Sequence, residues 1–241
     1  MPFPSEPLVL RGGCNCTAVR WRMSLPSHSE RAPNPYHTRT KDIGDVRLPT
    51  AGICHCDGCR RASGSIGTYA FITDMATLEL SILARDKVPD PKADDNGERP
   101  PYVPALSLLD EPATADLSGL WLMHYESSPM RNRWFCGRCG TQLGVAVSKA
   151  AIPQELWSPR VITLCGGSTD RDLLENAWCQ PDHVMDCSIA IPWMRHFVKS
   201  GAQGAQEHPF VMMDWLMTDD FRPHIEMLQQ RGIDLKVTMW D

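Results

Sequence analysis

Cys54-His55-Cys56-Asp57-Gly58-Cys59-Arg60-Arg61 crowds three cysteines and a histidine into its first six residues. Two further clusters accompany it. One is Cys14-Asn15-Cys16, preceded by Gly12-Gly13, and the other is Cys136-Gly137-Arg138-Cys139, followed by Gly140-Thr141. Such spacing points to metal ligation. A tight CxxC turn aims two sulfurs and nearby backbone N–H groups at one point, and glycine in or after the turn lets the chain fold back there. Gly137 and Gly140 meet that need. The competing reading, seven buried apolar cysteines, is disfavoured by their falling into three separate clusters. A thioredoxin-like reading of Cys136 and Cys139 lacks the strand–CxxC–helix surroundings it requires.

Counting partitions the ligands. A closed structural zinc takes four thiolates in a tetrahedron, whereas a catalytic zinc keeps three protein ligands and one open position. Two pairs and one triplet divide cleanly in one way: Cys14, Cys16, Cys136 and Cys139 close one site, and Cys54, Cys56 and Cys59 hold an open one. His55 can also serve as a ligand at the second. Three thiolates on Zn²⁺ leave a net charge of −1, and Arg60 and Arg61 follow directly in sequence. They either grip a substrate carboxylate or are solvated residues at a helix start. Cys165, Cys179 and Cys187 stand alone and read as core residues.

The rest of the composition bounds the class. The 241 residues allow one large domain or two small ones, and 42% hydrophobic content supports a packed core. A net charge of −5 and a pI near 5.9 disfavour a nucleic-acid partner, which needs clustered basic residues. No apolar run approaches the roughly 18 residues of a bilayer span, so no membrane association is expected. The opening Met1-Pro2-Phe3-Pro4-Ser5-Glu6 has neither a basic nor an apolar leader region. The expected location is the reducing cytoplasm, with the nucleus left open, and there clustered cysteines bind metal more readily than they form disulfides.

The element pattern is mainly β. Strands are expected over Thr17 to Met23, Ile66 to Ile72, Leu78 to Leu83, Leu120 to Glu126, Gln142 to Val147, Val161 to Leu164 and Val184 to Ile191. Two insertions interrupt them, at about 24–50 and 85–117. The second is rich in proline and charge and is expected to be a mobile surface loop, open to proteases near Lys87, Lys92 or Arg99. A short C-terminal helix is expected at about 219–231, stopped by Gly232.

Taken together, Gly12-Gly13-Cys14-x-Cys16, Cys54-His55-Cys56-x-x-Cys59-Arg60-Arg61-x-x-Gly64, Ser127-Ser128-Pro129 and Arg133-x-Phe135-Cys136-x-x-Cys139-Gly140-Thr141-x-Leu143 resemble the glutathione-dependent formaldehyde-activating enzyme and centromere protein V family. Pro181-x-His183-Val184 and Trp193 are similar to that family's closing segment. The resemblance covers about residues 10–195 and leaves 196–241 as an extension. It implies a β-tent fold of several coiled antiparallel sheets pinned by zinc, with one structural ion and one labile catalytic ion. Thr17 departs from the family's usual glycine, and Cys165-Gly166-Gly167 stands where the family usually has valine–glycine–threonine.

The functional expectation is a zinc-dependent carbon–sulfur lyase acting on a small thiol or thiol–aldehyde adduct such as S-hydroxymethylglutathione. Cys54, Cys56 and Cys59 would hold the catalytic zinc, Arg60 and Arg61 would bind the adduct, and His55 or His183 would move the proton. The alternative is a non-catalytic, zinc-stabilised module that binds a protein partner.

Overall fold

In a computed structural model the chain is described at residues 3–35, 46–89, 99–110, 115–152, 154, 158–181, 183–186, 190–194, 206–207, 226 and 230. Mainly β structure is what these residues form: twelve strands in two sheets, with only short helices between them. Among them no helix is long and apolar enough to cross a membrane.

The smaller sheet starts with a hairpin. Strands β1 (Leu8–Gly13) and β2 (Val19–Leu25) pair antiparallel, and Cys14 and Cys16 lie in the turn between them. Strand β2 alternates as its sequence implies: Val19, Trp21, Met23 and Leu25 are buried, while Arg20 and Arg22 are half-buried and Ser24 is exposed. Gly12 is required by a close approach, since a Cβ there would stand 2.2 Å from Ser168 O and 2.3 Å from the Trp21 ring. Strand β5 (Leu78–Ile82) pairs with β2, and Arg22 reaches across to Glu79 at 2.8 Å. The edge strand β6 (Val103–Pro104) follows β5.

The larger sheet contains β3 (Thr50–Cys54), β4 (Thr68–Asp74), β7 (Leu122–Ser128), β8 (Arg131–Cys136), β9 (Gln142–Val147), β10 (Val161–Cys165), β11 (His183–Met185) and β12 (Gln206–Glu207). Their spatial order is β12-β11-β3-β4-β10-β9-β8-β7, antiparallel except for the parallel pairs β11–β3 and β11–β12. One apolar cluster draws on both sheets, with Leu10, Trp21, Met23 and Leu80 from the smaller and Phe71, Trp134, Ile162 and Leu164 from the larger. Polar contacts also join the sheets. Trp21 Nε1 donates to Ser168 Oγ at 3.0 Å, and Arg20 forms a two-pronged pair with Asp170 at 2.7 and 2.5 Å.

Three expectations need correction. Helix α1 (Asp57–Ser63) corrects the reading of strands and loops, which offered a helix start at Arg60 and Arg61 only as one alternative because seven residues carry no helical period. Its ends explain it: the Cys56 sulfur accepts the Cys59 N–H at 3.4 Å, and Gly64 terminates it at φ 65°. The strand expected over Val184 to Ile191 stops at Met185, where Asp186 turns to φ 56° and cannot continue the pleat; residues 187–189 lie outside the described set.

The third correction concerns the 85–117 insertion, of which residues 99–110 are docked. Arg99 donates to Thr17 O at 2.7 Å and to Ser81 O at 3.3 Å, so it is a poor protease target. Ala105 and Leu109 are buried, the latter in helix α2 (Leu106–Leu109). Lys87 is exposed, and Lys92 lies outside the described residues. The first insertion is likewise tied down where described, with buried Arg31 donating to Pro26 O at 2.9 Å and Pro4 O at 2.6 Å. Of the expected C-terminal helix only residues 226 and 230 are described, both helical.

Asp110 locks the docked insertion. Its carboxylate pairs with buried Arg160 and with Lys149, and these cations hold its pKa below the usual range against the opposing effect of burial. A depressed folded-state pKa contributes stability above the unfolded value of about 4, and that stability is lost as pH falls through the folded value. Asp110→Asn is therefore expected to cost about 3 kcal/mol at pH 7, because Arg160 keeps its buried charge. The difference from wild type should shrink as pH falls below about 4 and through the depressed folded-state pKa. Urea melts at pH 7 and pH 3 check this, and an equal cost at both would refute the ion-pair account.

Candidate metal centres

The first centre lies where the sheets meet. Cys14 and Cys16 come from the β1–β2 turn of the smaller sheet, and Cys136 and Cys139 from the β8–β9 turn of the larger. Their four sulfurs lie within 4.8 Å of one another. Cys14–Cys16 is 3.6 Å and Cys16–Cys136 is 3.8 Å. Sulfurs at about 2.3 Å from one tetrahedral ion stand about 3.8 Å apart, so the donor set fits zinc in type, number and spacing.

Backbone geometry prepares these sulfurs. Val19 N–H donates to Cys14 Sγ at 3.2 Å. Gly140, at φ 76°, gives its N–H to Cys136 O at 2.8 Å and closes the second knuckle. Thr141 joins the knuckles: its hydroxyl accepts Asn15 N–H at 3.1 Å and lies 3.2 Å from Cys139 Sγ. Cys136 is fully buried and is pulled down to about 5 by a hydrogen bond from Cys14 and by the Cys139 and Arg138 N–H groups; Cys14 is raised correspondingly. Thr17 sits at φ 62°, where a β-branched residue is strained by about 1–2 kcal/mol.

The second centre is built at the end of β3. Cys54 closes that strand, Cys56 caps α1, and Cys59 lies in its first turn. The three sulfurs lie within 4.8 Å of one another, with Cys54–Cys56 at 3.4 Å. Cys59 is held far below the ordinary thiol range by hydrogen bonds from Cys54 and then Cys56, aided by the charge of Arg133. The pKa of Cys54 is raised by its hydrogen bonds with Cys56 and Cys59. For Cys56 the Cys54 hydrogen bond pulls down, but Cys59 and burial outweigh it and push the thiol up to about 12.

Arg133 and Asp186 were missed in the sequence. Arg133 is 5% exposed and places Nη2 3.9 Å from Cys59 Sγ, as the nearby positive charge for the thiolates. A register shift between Glu126 and Ser128 accompanies a hydrogen bond from Arg133 Nε to Ser127 Oγ at 3.1 Å. Arg133 Nη1 is buried without a hydrogen-bond partner among the described residues. The only sequence signal for Arg133 was its place in the motif before Cys136. Asp186 accepts from Cys54 Sγ at 3.2 Å, and burial raises its pKa.

The other sequence candidates lie nearby with different contacts. Arg60 and Arg61, on α1, both lean on Asp57, at 3.2 and 3.6 Å. His55 is buried; its Nδ1 is 3.3 Å from Ile66 O, and its Nε2 has no hydrogen-bond partner among the described residues. A carbonyl can only accept, so this contact places the proton on Nδ1 and leaves Nε2 as an acceptor. His183 lies in β11 opposite Gly52, and only its backbone is described. Cys165 and Cys179 are buried core residues, Cys165 pushed up to about 12 by burial; Cys187 lies outside the described residues. The two cysteine groups can therefore each hold a metal ion, one with four sulfurs and one with three. No protein-family model matches the chain, and no curated protein matches it.

Proposed function

We propose that the chain is a zinc-dependent carbon–sulfur lyase for adducts of a small thiol with an aldehyde, akin to the glutathione-dependent formaldehyde-activating enzymes it resembles. The supporting observation is the inequality of the two centres: four convergent sulfurs at one, and three beside a buried guanidinium at the other. Cys54, Cys56 and Cys59 would hold a zinc ion there, which when bound would supply Lewis acidity that lowers the pKa of a thiol.

The protein groups do the remaining work. Arg133 balances the thiolate charge, and its unpartnered Nη1 is the donor offered to the adduct's hydroxyl oxygen. His55 Nδ1 lies against Ile66 O, and its buried Nε2 is the proposed acceptor for the hydroxyl proton. As that proton leaves, the C–O bond becomes a carbonyl and the C–S bond breaks, with its electron pair going to sulfur. Arg60 and Arg61 are the proposed contacts for the carboxylates of a tripeptide thiol.

Exchange spectroscopy on glutathione and formaldehyde tests the proposal. A chain carrying two zinc ions should speed adduct formation and breakdown well above the buffer rate, and more for glutathione than for a simple alkyl thiol. A fully loaded chain that leaves the exchange at the buffer rate overturns it.

A further inference from the structure

Strand β7 ends the larger sheet with a free edge. It pairs with β8 on one side, and among the described residues no strand pairs with the other. Residues 123–127 are all exposed, Met123 by 37% and Tyr125 by 46%. The edges of the smaller sheet are treated differently. Gly12 of β1 bridges to Thr169, and Asp170 N–H donates to Arg11 O at 2.9 Å, so that edge is covered. Strand β6 has two residues, and one is Pro104, which has no N–H to offer. Strand β7 holds neither proline nor lysine, and its one irregularity lies at its end, between Glu126 and Ser128. An edge left in this state is a template for another strand.

The residues of β7 select a second copy of the chain as that strand. Laid antiparallel on itself about Tyr125, β7 sets His124 opposite Glu126 twice over and Met123 opposite Ser127. One face then carries two imidazole–carboxylate pairs. Glu126 Oε1 accepts the Met130 N–H, which holds the carboxylate beside the strand and leaves Oε2 for an imidazole N–H. His124 is steadied by Trp134, with ring centres 4.8 Å apart. The other face gathers the exposed Met123 and Tyr125 of both copies, and Tyr125 packs edge-on against Phe135 at 5.9 Å. Aromatic and opposite-charge pairs across strands are those that stabilise a sheet. Moving the axis to His124 would oppose two imidazoles, and moving it to Glu126 would oppose two carboxylates. Charge complementarity thus selects both the occupant and the register.

We propose that two copies of the chain join β7 to β7 about a two-fold axis through Tyr125, so that the larger sheet runs continuously through a dimer. A single pair of strands makes a small interface, so the dimer exchanges with monomer on dilution. The proposal does not depend on the lyase reading.

Sedimentation velocity on the metal-loaded full chain, over about a thousandfold range of concentration, tests this. Wild type should pass from monomer to dimer as the concentration rises. Tyr125→Lys sets two ammonium groups against each other on the axis and should weaken the dimer by about tenfold or more. His124→Glu opposes carboxylate to carboxylate at both pairs and should weaken it likewise. His124→Lys restores opposite charges at both pairs and should keep the wild-type strength or exceed it. Both His124 variants lose the Trp134 contact, so their opposite effects isolate the charge pairing. A wild-type chain that stays monomeric throughout would overturn the proposal and leave the edge to a strand of another protein. A dimer indifferent to Tyr125→Lys, or one that both His124 variants shift in the same direction, would overturn it as well.

Discussion

Cys136→Ser is expected to abolish the fold. Cys136 is fully buried at the end of β8, and its sulfur faces Cys16 at 3.8 Å across 120 residues of chain. The centre they share joins the two sheets, so metal binding there is coupled to docking one sheet on the other. A structural zinc contributes roughly 10–16 kcal/mol, whereas a whole domain is stable by about 5–15 kcal/mol. Losing one of four ligands therefore removes a contribution as large as the net stability. The variant should be insoluble or molten, with far-ultraviolet dichroism retained, near-ultraviolet dichroism lost and no cooperative melt. Stripping the ion from wild type with a strong chelator should produce the same state. Cys179→Ala, also buried but outside both centres, should cost only about 1 kcal/mol. A soluble Cys136→Ser protein that melts cooperatively and keeps two ions would refute the assignment.

Cys56→Ser should do the opposite, emptying one centre and sparing the fold. Cys56 caps α1 by accepting the Cys59 N–H, and serine is among the best residues for that task. The helix start should therefore survive while the ion loses a ligand. Metal content should fall from two ions per chain toward one, with the melting temperature lowered by only a few degrees. On the lyase proposal, the loss of several kcal/mol of metal-derived stabilisation corresponds to about a thousandfold in rate. Elemental analysis, a thermal melt and the exchange assay read the three effects separately. Cys56→Ser protein that still carries two ions would break the ligand assignment, and full activity with one ion would break the lyase proposal.

Both experiments rest on cysteines that were legible before any fold was known. Two sulfurs converge when they sit two or three residues apart in a tight turn, so ligation leaves a local mark at 14–16, 54–59 and 136–139. The division into four and three followed from counting alone, and the structure brings together the same two groups. Strands such as β2 and β9 were legible too, because the two faces of a strand alternate from one residue to the next.

Asp186 was not legible, because nothing local marks it, and the motif that contains Arg133 gave that residue no role. A buried arginine in a strand resembles an exposed one until the charge it balances is located, and that charge is 74 residues away. Asp186 meets Cys54 across 132 residues, through a parallel β11–β3 register that no sequence period encodes. Arg99 holds the second insertion through the carbonyls of Thr17 and Ser81, and backbone acceptors are the same at every residue. The sequence by itself therefore determined the mainly β class and which cysteines gather into groups able to hold a metal ion, since a two-residue strand repeat and a one-turn ligand spacing are written locally. Only the tertiary structure decided which charge and which carboxylate face the three-sulfur centre, because long-range strand pairing brings those groups to it.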